Sequence, residues 1–261
     1  MFTILLHSSK TMRAPTGKAS PAQVPALQKQ ASELANYLKS LKQSELQAAM
    51  KLSAPMAAKT RALIATWHDE PSETLPAIDA FIGDIYSGLQ VESFTQSDRA
   101  YANDHLFILS GLYGVLRALD TIQPYRLEMG YRLPDSPFQN LYAYWYDTIA
   151  HQLPDQQTII NLSAVEYTKA VFPHLHTPHI ITPKFLTVSQ ATGEPTFVTV
   201  HAKVARGAYA HWLIKNRIDD IDRLIDFDEL GYHYDLSRSA PDEPIYVCQA
   251  FGGIGMSVRL K

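Results

Sequence analysis

The chain has 261 residues, 46% of them hydrophobic and 19% charged, with a formal net charge of −3 at pH 7. This length suits one large domain or two small ones, and the acidic balance argues against a dedicated non-specific nucleic-acid binder, which is usually basic overall. No apolar run approaches the roughly 18 residues that cross a bilayer, and the apolar start lacks the basic region of a signal peptide, so we expect a cytoplasmic protein without membrane contact.

The first half of the sequence predicts one strand followed by several helices. Residues 2–6 form an apolar strand that ends in a polar turn at 7–11. Apolar side chains such as Leu27, Ala31 and Leu34 then recur at the spacing of an amphipathic helix. Proline is tolerated in a first helical turn, which allows a helix to begin at Pro55. Helices are predicted at 22–41, 44–52, 55–67, 77–89 and 97–105.

The second half predicts strands and helices in mixed order. A lone Cys248 excludes an internal disulfide and fits a reducing compartment. Strands and helices do not alternate regularly and no linker divides the chain, so we predict a single α+β (mixed α/β) domain over residues 1–261, with a central mixed sheet and helices clustered early. Strands are predicted at 106–109, 158–162, 180–188, 196–200, 232–236 and 245–248, and helices at 137–153, 163–171, 204–218 and 220–227.

The stretch most informative about function is 110–133, where charged residues are interspersed with apolar ones. A buried core would exclude these charges, because burying an unpaired one costs several kcal/mol. A solvated loop would not carry so many large apolar side chains. The pattern therefore indicates either charged groups fixed on a packed wall, as in binding and catalytic sites, or a structural ion-pair network. The charges are Arg117, Asp120, Arg126, Glu128 and Arg132.

Cations at the ends of predicted elements are candidates for binding an anion. The turn His7-Ser8-Ser9-Lys10-Thr11 offers hydroxyls, amides and an ammonium, and it indicates either an anion site or a solvated turn. Lys203 and Arg206, three residues apart near a predicted helix start, can face one ligand or form a solvated helix face. Gly207 beside them permits the close approach of a backbone or a ligand. Lys169 and Lys184 also lie at the ends of predicted elements.

Acidic residues in the same motifs allow acid–base chemistry. Ser163 and Glu166 have the spacing of a helix capping box, which by itself explains both residues. The alternative is that Glu166, beside Glu128, donates or accepts a proton. We therefore retain both interpretations of Glu166.

Residues 46–64 predict two short helices that meet at Leu52-Ser53-Ala54-Pro55, with basic residues on either side. This junction resembles a helix-hairpin-helix module, which binds a DNA backbone through hairpin amides. The usual glycines are absent here. An ordinary αα-hairpin is the alternative interpretation.

Several motifs together resemble the YaaA peroxide-stress family over nearly the whole chain. The longest are Ser110-Gly-Leu-Tyr-Gly-Val-Leu-Arg117 and Gln123-Pro-Tyr-Arg-Leu-Glu-Met-Gly130, and 83–89, 161–167 and 202–207 also match. The resemblance implies a mixed α/β domain with a basic cleft and a helix-hairpin-helix-like element. It also implies a cytosolic protein that limits damage by hydrogen peroxide, lowers free intracellular iron and binds duplex or branched DNA.

Carried over by position, eight cations would line the cleft of such a protein. Two departures from the family pattern stand out. The family often has Ser-Pro-Ala-Lys after the first strand, whereas this chain has His7-Ser8-Ser9-Lys10 and keeps only the lysine. The segment 174–179 is often lysine-rich in the family but not in this chain. The eight cations are Lys10, Arg117, Arg126, Arg132, Lys169, Lys184, Lys203 and Arg206.

Two functions remain as alternatives. In the first, which the resemblance favours, the protein binds DNA and protects against peroxide. Its effect on iron would be indirect, because the sequence has no ferritin-like Glu-x-x-His pair and no cysteine cluster. In the second, it is an enzyme for a small anionic or nucleotide-like substrate, with Glu128, Glu166 and Tyr167 as catalytic candidates. We expect no cofactor, and the histidines at 174, 176 and 179 lack the partners at fixed spacing that a metal site needs.

Overall fold

The computed structural model describes residues 1–15, 17, 23–69, 71, 73–134, 137, 139–155, 157–176 and 179–253. Its helices and mixed sheets confirm the predicted α+β class. The strands are β1 (Phe2–His7), β2 (Thr11–Met12), β3 (Leu75–Pro76), β4 (Phe81–Ile82), β5 (Leu106–Ser110), β6 (Gly114–Arg117), β7 (Thr121–Ile122), β8 (Thr158–Asn161), β9 (Ile180–Ile181), β10 (Lys184–Val188), β11 (Pro195–Thr196), β12 (Tyr232–Tyr234) and β13 (Ile245–Cys248).

The α-helices cluster in the first 105 residues, as the sequence predicts, with one long helix near the end. They are α1 (Gln28–Ser40), α2 (Gln43–Ala49), α3 (Ala54–Ala65), α4 (Ala77–Ala80), α5 (Asp84–Leu89), α6 (Gln96–His105), α7 (Leu141–Trp145), α8 (Val165–Thr168) and α9 (Thr199–Lys215). Short 3-10 turns lie at Val91–Ser93, Ala150–Gln152, Phe172–His174, Ile221–Asp226 and Glu229–Gly231.

A five-stranded sheet in the order β6-β5-β1-β8-β9 forms the centre of the fold. β1 is parallel to β5, with Leu5 opposite Phe107, and to β8, with Ile4 opposite Ile160. All six residues of β1 are buried, as expected for a strand covered on both faces. The chain first adds strands on one side of β1 and later on the other. The carboxyl ends of β1, β5 and β8 therefore share the edge at which open sheets bind ligands.

A second sheet in the order β11-β10-β13-β12 carries an aromatic core. Phe185 packs against Tyr209, Phe227 and Tyr246, with ring centroids 5.4–6.0 Å apart. Tyr209 belongs to α9, which contacts β10 of this sheet as well as α5. One helix therefore touches both the second sheet and the layer that covers the central one.

Helices α5 and α9 approach so closely that their backbones touch through two glycines. A Cβ atom added at Gly207 would lie 1.8 Å from the carbonyl oxygen of Ile85, and one at Gly88 would lie 2.0 Å from that of Val204. These distances are far below van der Waals contact. Of the two reasons that the sequence offers for Gly207, the structure shows the approach of a backbone.

Two predicted helices are interrupted or shortened. The segment 77–89 divides into α4, β4 and α5, because the chain turns at Gly83, where φ is 143°. The helix predicted at 137–153 is reduced to α7 and a 3-10 turn. The predicted start of the first helix at residue 22 lies outside the described residues, and α1 begins at Gln28.

Two further predictions misplace the boundary between strand and helix. The strand at 180–188 is two strands, β9 and β10, in different sheets; Pro183, which cannot donate a backbone hydrogen bond, lies between them. The strand predicted at 196–200 is wrong beyond Thr196, because α9 already begins at Thr199. Lys203 and Arg206 therefore lie on the second turn of this helix and not at its start.

Candidate functional site

A cavity of about 330 Å³ opens at the carboxyl edge of the central sheet. Its walls come from five places in the chain: the end of β1, the start of α5, the segment after β7 that carries Glu128, the start of α8 and the second turn of α9. Because strand ends and helix starts expose polar groups, this edge collects side chains that can bind and react. The lining residues are His7, Ser8, Ser9, Lys10, Gly83, Asp84, Ile85, Tyr86, Glu128, Ala164, Glu166, Tyr167 and Lys203.

His7 is the last residue of β1 and borders the cavity with a largely buried ring. Its Nδ1 accepts a hydrogen bond of 3.2 Å from the Ala164 amide, and its ring stacks on Tyr167 with centroids 4.9 Å apart. Burial, together with the positive charges of Arg206 and Lys203, lowers the pKa of His7 to about 3. The imidazole is therefore neutral at physiological pH.

Buried hydroxyl groups support the floor of the cavity. The Ser8 hydroxyl donates to the Tyr167 hydroxyl at 3.2 Å, and Ser110 Oγ lies 2.6 Å from the Tyr125 hydroxyl. Burial raises the pKa of Tyr125 and of Tyr167 well above the usual value for tyrosine. Both phenols stay protonated at neutral pH and can donate hydrogen bonds.

Glu128 lies on one wall of the cavity, 3.5 Å from the ammonium of Lys10. Its side chain is only 12% exposed, whereas that of Lys10 is 56% exposed. Burial raises the pKa of Glu128, the charge of Glu166 raises it further, and the charge of Lys10 opposes both effects. Such a carboxyl group can hold or release a proton closer to neutral pH than an exposed glutamate.

Glu166 projects into the same cavity, but not for the reason that its spacing from Ser163 indicates. Helix α8 has Ala164 as N-cap with no side-chain cap, so the predicted capping box is wrong. Instead, Glu166 Oε1 accepts a 2.8 Å hydrogen bond from the Gly130 amide. A Cβ at Gly130 would lie 2.9 Å from this oxygen, so the glycine makes room for the carboxylate.

Lys203 and Arg206 bring positive charge to the cavity from α9. Lys203 lines it directly, and both residues act electrostatically on His7. Burial lowers the pKa of Arg206 from its usual value. Neither cation makes an ion pair or a hydrogen bond with any residue in the described ranges. Unpaired cations at a partly buried position are suited to receive an anionic ligand.

A second cavity of about 450 Å³ adjoins the first. Glu166 lines both cavities, and Gly130, whose amide donates to Glu166, lines the second. Lys51 and Arg132 contribute its positive charge, and both side chains are exposed. Lys51 lies in the turn between α2 and α3 and has a φ of 51°. Arg126 lies near this region, with Nη1 4.0 Å from the Met56 sulfur.

Three of the eight predicted cations lie away from both cavities. Arg117, on the edge strand β6, pairs with Asp104 at 2.7 Å. Lys184, in the second sheet, forms an ion pair with Glu243. Lys169 is exposed just beyond α8 and does not line either cavity. The structure therefore places Lys10 and Lys203 in the lining of one cavity, with Arg206 close enough to act on His7, and Arg132 in the lining of the neighbouring cavity, with Arg126 near it.

Comparison with known proteins identifies the family. A family model described as "Peroxide stress protein YaaA" matches residues 2–238. The chain belongs to this family. Curated relatives in the same comparison carry the name UPF0246. One from Salinispora tropica is 53% identical over 98% of this chain and 97% of its own length. Another, from Roseobacter denitrificans, is 41% identical over 87% of this chain and 91% of its own length.

Some lining residues of this YaaA-family cavity were missing from the residues predicted by sequence. Asp84 and Tyr86 could not be found, since the sequence predicts an unbroken helix there. His7 and Ser8, by contrast, belong to the polar turn 7–11 that the sequence indicates as an anion site or a solvated turn. Within the described ranges, no three His, Cys, Asp or Glu side chains are grouped as metal ligands would be. None of the described helices has both the length and the apolar character of a membrane-spanning segment.

Proposed function

We propose that this peroxide stress protein binds a small anionic molecule in the carboxyl-edge cavity and moves a proton to or from it. One observation carries the proposal: two carboxylates, Glu128 and Glu166, share a 330 Å³ cavity with Lys203, which has no ion-pair partner among the described residues. This volume is typical of small-molecule sites. A protein that only bound a phosphate backbone would have no use for two carboxylates in that position, because they repel phosphate.

Each group has a distinct role in this proposal. Lys203 and Arg206 attract the anion and neutralise its charge. Glu128 transfers the proton, because burial raises its pKa above the usual value for a glutamate. Glu166 is held by the Gly130 amide and fixes the position of the bound molecule by accepting a hydrogen bond from one of its donor groups. The protonated Tyr167 hydroxyl can donate a further hydrogen bond.

Binding of three probes tests the site: inorganic sulfate, inorganic phosphate and adenosine monophosphate. Titration calorimetry or NMR should show saturable binding of at least one of them to the wild type. Lys203→Ala should weaken it about tenfold, the effect of losing one charge-assisted hydrogen bond. Lys169→Ala is the matched control and should change nothing, because Lys169 lies outside the cavity. Absence of saturable binding by all three probes would contradict the proposal.

Glu128 is tested separately by the pH dependence of sulfate binding. Sulfate keeps its charge over the relevant range, so any titration belongs to the protein. As the pH rises, Glu128 ionises and repels the anion, and the affinity of the wild type should fall. The Glu128→Gln variant should show a flatter profile. Parallel profiles for the two proteins would remove Glu128 from the proton-transfer role.

We propose as a second function that the protein contacts duplex or branched DNA with the rim formed by the α2–α3 turn and Arg132. The exposed cations Lys51 and Arg132 around the second cavity support it. Phosphates would meet these cations outside the carboxylate-lined cavity. Lower free iron, which the family resemblance implies, would be an indirect result of either activity. We place both activities in the cytoplasm, a reducing compartment in which Cys248 stays a thiol.

Fluorescence anisotropy with a labelled duplex and a four-way junction tests this second function. Binding should weaken steeply with salt, and Lys51→Ala combined with Arg132→Ala should reduce both affinity and salt slope. Lys184→Ala is the control, because Lys184 is already paired with Glu243 in another sheet. Equal affinity of the double variant and the wild type would exclude this rim as the contact surface.

A further inference from the structure

His7 holds a fixed orientation at the carboxyl edge. Its ring is stacked on Tyr167, and its backbone carbonyl accepts a 2.9 Å hydrogen bond from the Tyr86 hydroxyl. Its Nδ1 accepts the Ala164 amide proton. The stacking on Tyr167 and the Ala164 hydrogen bond therefore fix the orientation of the ring, and the Tyr86 hydrogen bond holds the backbone at this residue. Only 9% of the residue is exposed, and it borders the cavity.

The Ala164 contact also decides which ring nitrogen carries the proton. A backbone amide can only donate, so Nδ1 must present its lone pair. The proton of the neutral ring is then on Nε2. Nε2 makes no hydrogen bond with a residue in the described ranges and is not among their buried unpartnered atoms. It is therefore left accessible as a donor.

We propose that His7 binds the ligand as a neutral hydrogen-bond donor, through Nε2–H, and that the ligand presents a carbonyl or phosphoryl oxygen to it. This inference rests on the proposed function of the cavity. A neutral imidazole polarises such an oxygen without giving up its proton, whereas Glu128 moves the proton. The cavity thus separates an electrophilic donor from an acid–base group.

The charges around His7 explain why it is used in its neutral form. A second proton would place a third positive charge beside Lys203 and Arg206 in a site of low dielectric. These two cations and burial hold the pKa of His7 at about 3, so ligand binding does not depend on its titration. The titratable and charged groups of the cavity are Lys10, Asp84, Tyr86, Glu128, Glu166, Tyr167, Lys203 and Arg206.

Nitrogen-15 NMR of the histidine side chains tests the tautomer without any ligand. Assignment of the His7 signal comes from its loss in His7→Gln. The expected spectrum shows a protonated Nε2 and an unprotonated Nδ1 from pH 8 down to pH 5. A proton on Nδ1, or a doubly protonated ring at pH 6, would overturn the inference.

Two substitutions separate the structural contact from the ligand contact. In His7→Asn the side-chain oxygen can replace Nδ1 as acceptor for Ala164, but no donor reaches the position of Nε2. In His7→Gln the amide nitrogen can reach that position. We expect His7→Asn to weaken sulfate binding about tenfold and His7→Gln to recover part of the loss. Unchanged sulfate affinity in His7→Asn would overturn the donor role.

The outcomes distinguish this inference from the proposed function. If the wild type binds none of the three probes, the proposed function fails, and the NMR experiment still decides the tautomer. If the wild type binds sulfate and Lys203→Ala does not, but His7→Asn binds as the wild type does, only the role of His7 is wrong. Should His7→Gln not fold, the loss of the His7 signal in His7→Asn gives the same assignment, and the tautomer is still read from wild-type protein.

Discussion

Lys184 in the second sheet and Lys203 at the carboxyl edge of the central sheet differ in whether a carboxylate neutralises their charge. In the second sheet and its loops, Lys184 pairs with Glu243, and Arg238 pairs with Asp235 at 2.8 Å. At the carboxyl edge of the central sheet, Lys203 has no such partner among the described residues.

The hydroxyl groups follow the same division. In the aromatic core of the second sheet, the Tyr209 and Tyr246 hydroxyls lie 3.1 Å apart, and both donate to the carbonyl oxygen of Leu224. At the carboxyl edge, Tyr167 lines an open cavity. Its hydroxyl accepts a hydrogen bond from Ser8, and its own proton has no acceptor among the described residues. A polar group whose partners lie within the protein stabilises the fold, whereas one that faces a cavity without a partner is available to a ligand.

The largest effect should come from breaking the contact that places α9 beside the cavity. Gly207→Ala introduces a Cβ 1.8 Å from the Ile85 carbonyl oxygen, so α5 and α9 must separate. We expect a loss of at least about 4 kcal/mol in the free energy of unfolding, measured by urea denaturation. Gly252→Ala is the control, because its Cβ would have ordinary contacts of 3.5 Å or more. Similar urea midpoints for the two variants would show that α5 and α9 accommodate the added Cβ without a large loss of stability.

A smaller effect is expected at Asp98, which links α6 to α9. It accepts hydrogen bonds from Lys215 at 2.9 Å and Arg217 at 2.8 Å, and it caps α6 together with Thr95. Asp98→Asn should cost about 2 kcal/mol at pH 7, from the lost charge-assisted bonds and the weakened cap. The exposed pair of Arg13 and Glu92 is the control, and Glu92→Gln should cost less than about 0.5 kcal/mol.

The pH dependence of the Asp98 effect has a definite sign. Hydrogen bonds from Lys215 and Thr95 lower the pKa of Asp98 well below its usual range. A depressed folded-state pKa stabilises the protein above the unfolded pKa of about 3.9, and this contribution is lost as the pH falls below that value. The difference between wild type and Asp98→Asn should therefore shrink below about pH 4. A difference that stays constant down to pH 2 would contradict the ion-pair explanation.

The comparison between the two sheets is sharpened by one matched pair of substitutions. Lys203→Ala and Lys184→Ala each remove one lysine from the predicted set of cations. Only the first should weaken sulfate binding, by about tenfold, because the charge of Lys184 is already neutralised by Glu243. Equal losses in the two variants, measured by calorimetry at one ionic strength, would mean that net charge and not the cavity governs binding.

The smallest effect concerns Glu128, whose burial raises its pKa. A raised folded-state pKa means that the protein loses stability as the pH rises above the unfolded value of about 4.3. Glu128→Gln should thus increase the Tm by roughly 1–3 °C at pH 7. The gain should vanish near pH 4, where the carboxyl is protonated in both states.

Glu243→Gln in the second sheet is the control for Glu128. It removes a carboxylate that is 43% exposed and paired with Lys184, so no gain is expected. A lower Tm for Glu128→Gln at pH 7 would show that its pair with Lys10 outweighs the cost of burial.

The sequence predicted the strands of the cavity better than its side-chain contacts. The ends of β1, β5 and β8 were predicted to within one residue, because each is an apolar run followed by polar residues or glycine. The start of α9 was missed, since its first turn contains the β-branched Thr199 and Val200, which also favour a strand. Local patterns thus located the edge of the sheet.

Pairing across the fold could not be predicted in this way. The local spacing of Ser163 and Glu166 indicated a cap, but Glu166 bonds to Gly130, 36 residues away. Lys184 lies at the end of a strand like a ligand-binding cation, yet its partner Glu243 becomes a neighbour only when β10 and β13 pair. Whether a charged residue is free or neutralised depends on such long-range contacts, which sequence spacing does not contain.

Helix α9 packs against two parts of the molecule: it contacts β10 on the side of the second sheet and α5 on the side of the cavity. A fragment ending before Thr199 would keep the three parallel strands but lose both Lys203 and the surface on which α5 rests. Because α9 contacts both regions, unfolding of the aromatic core of the second sheet should also unfold the cavity. The two regions should therefore melt together.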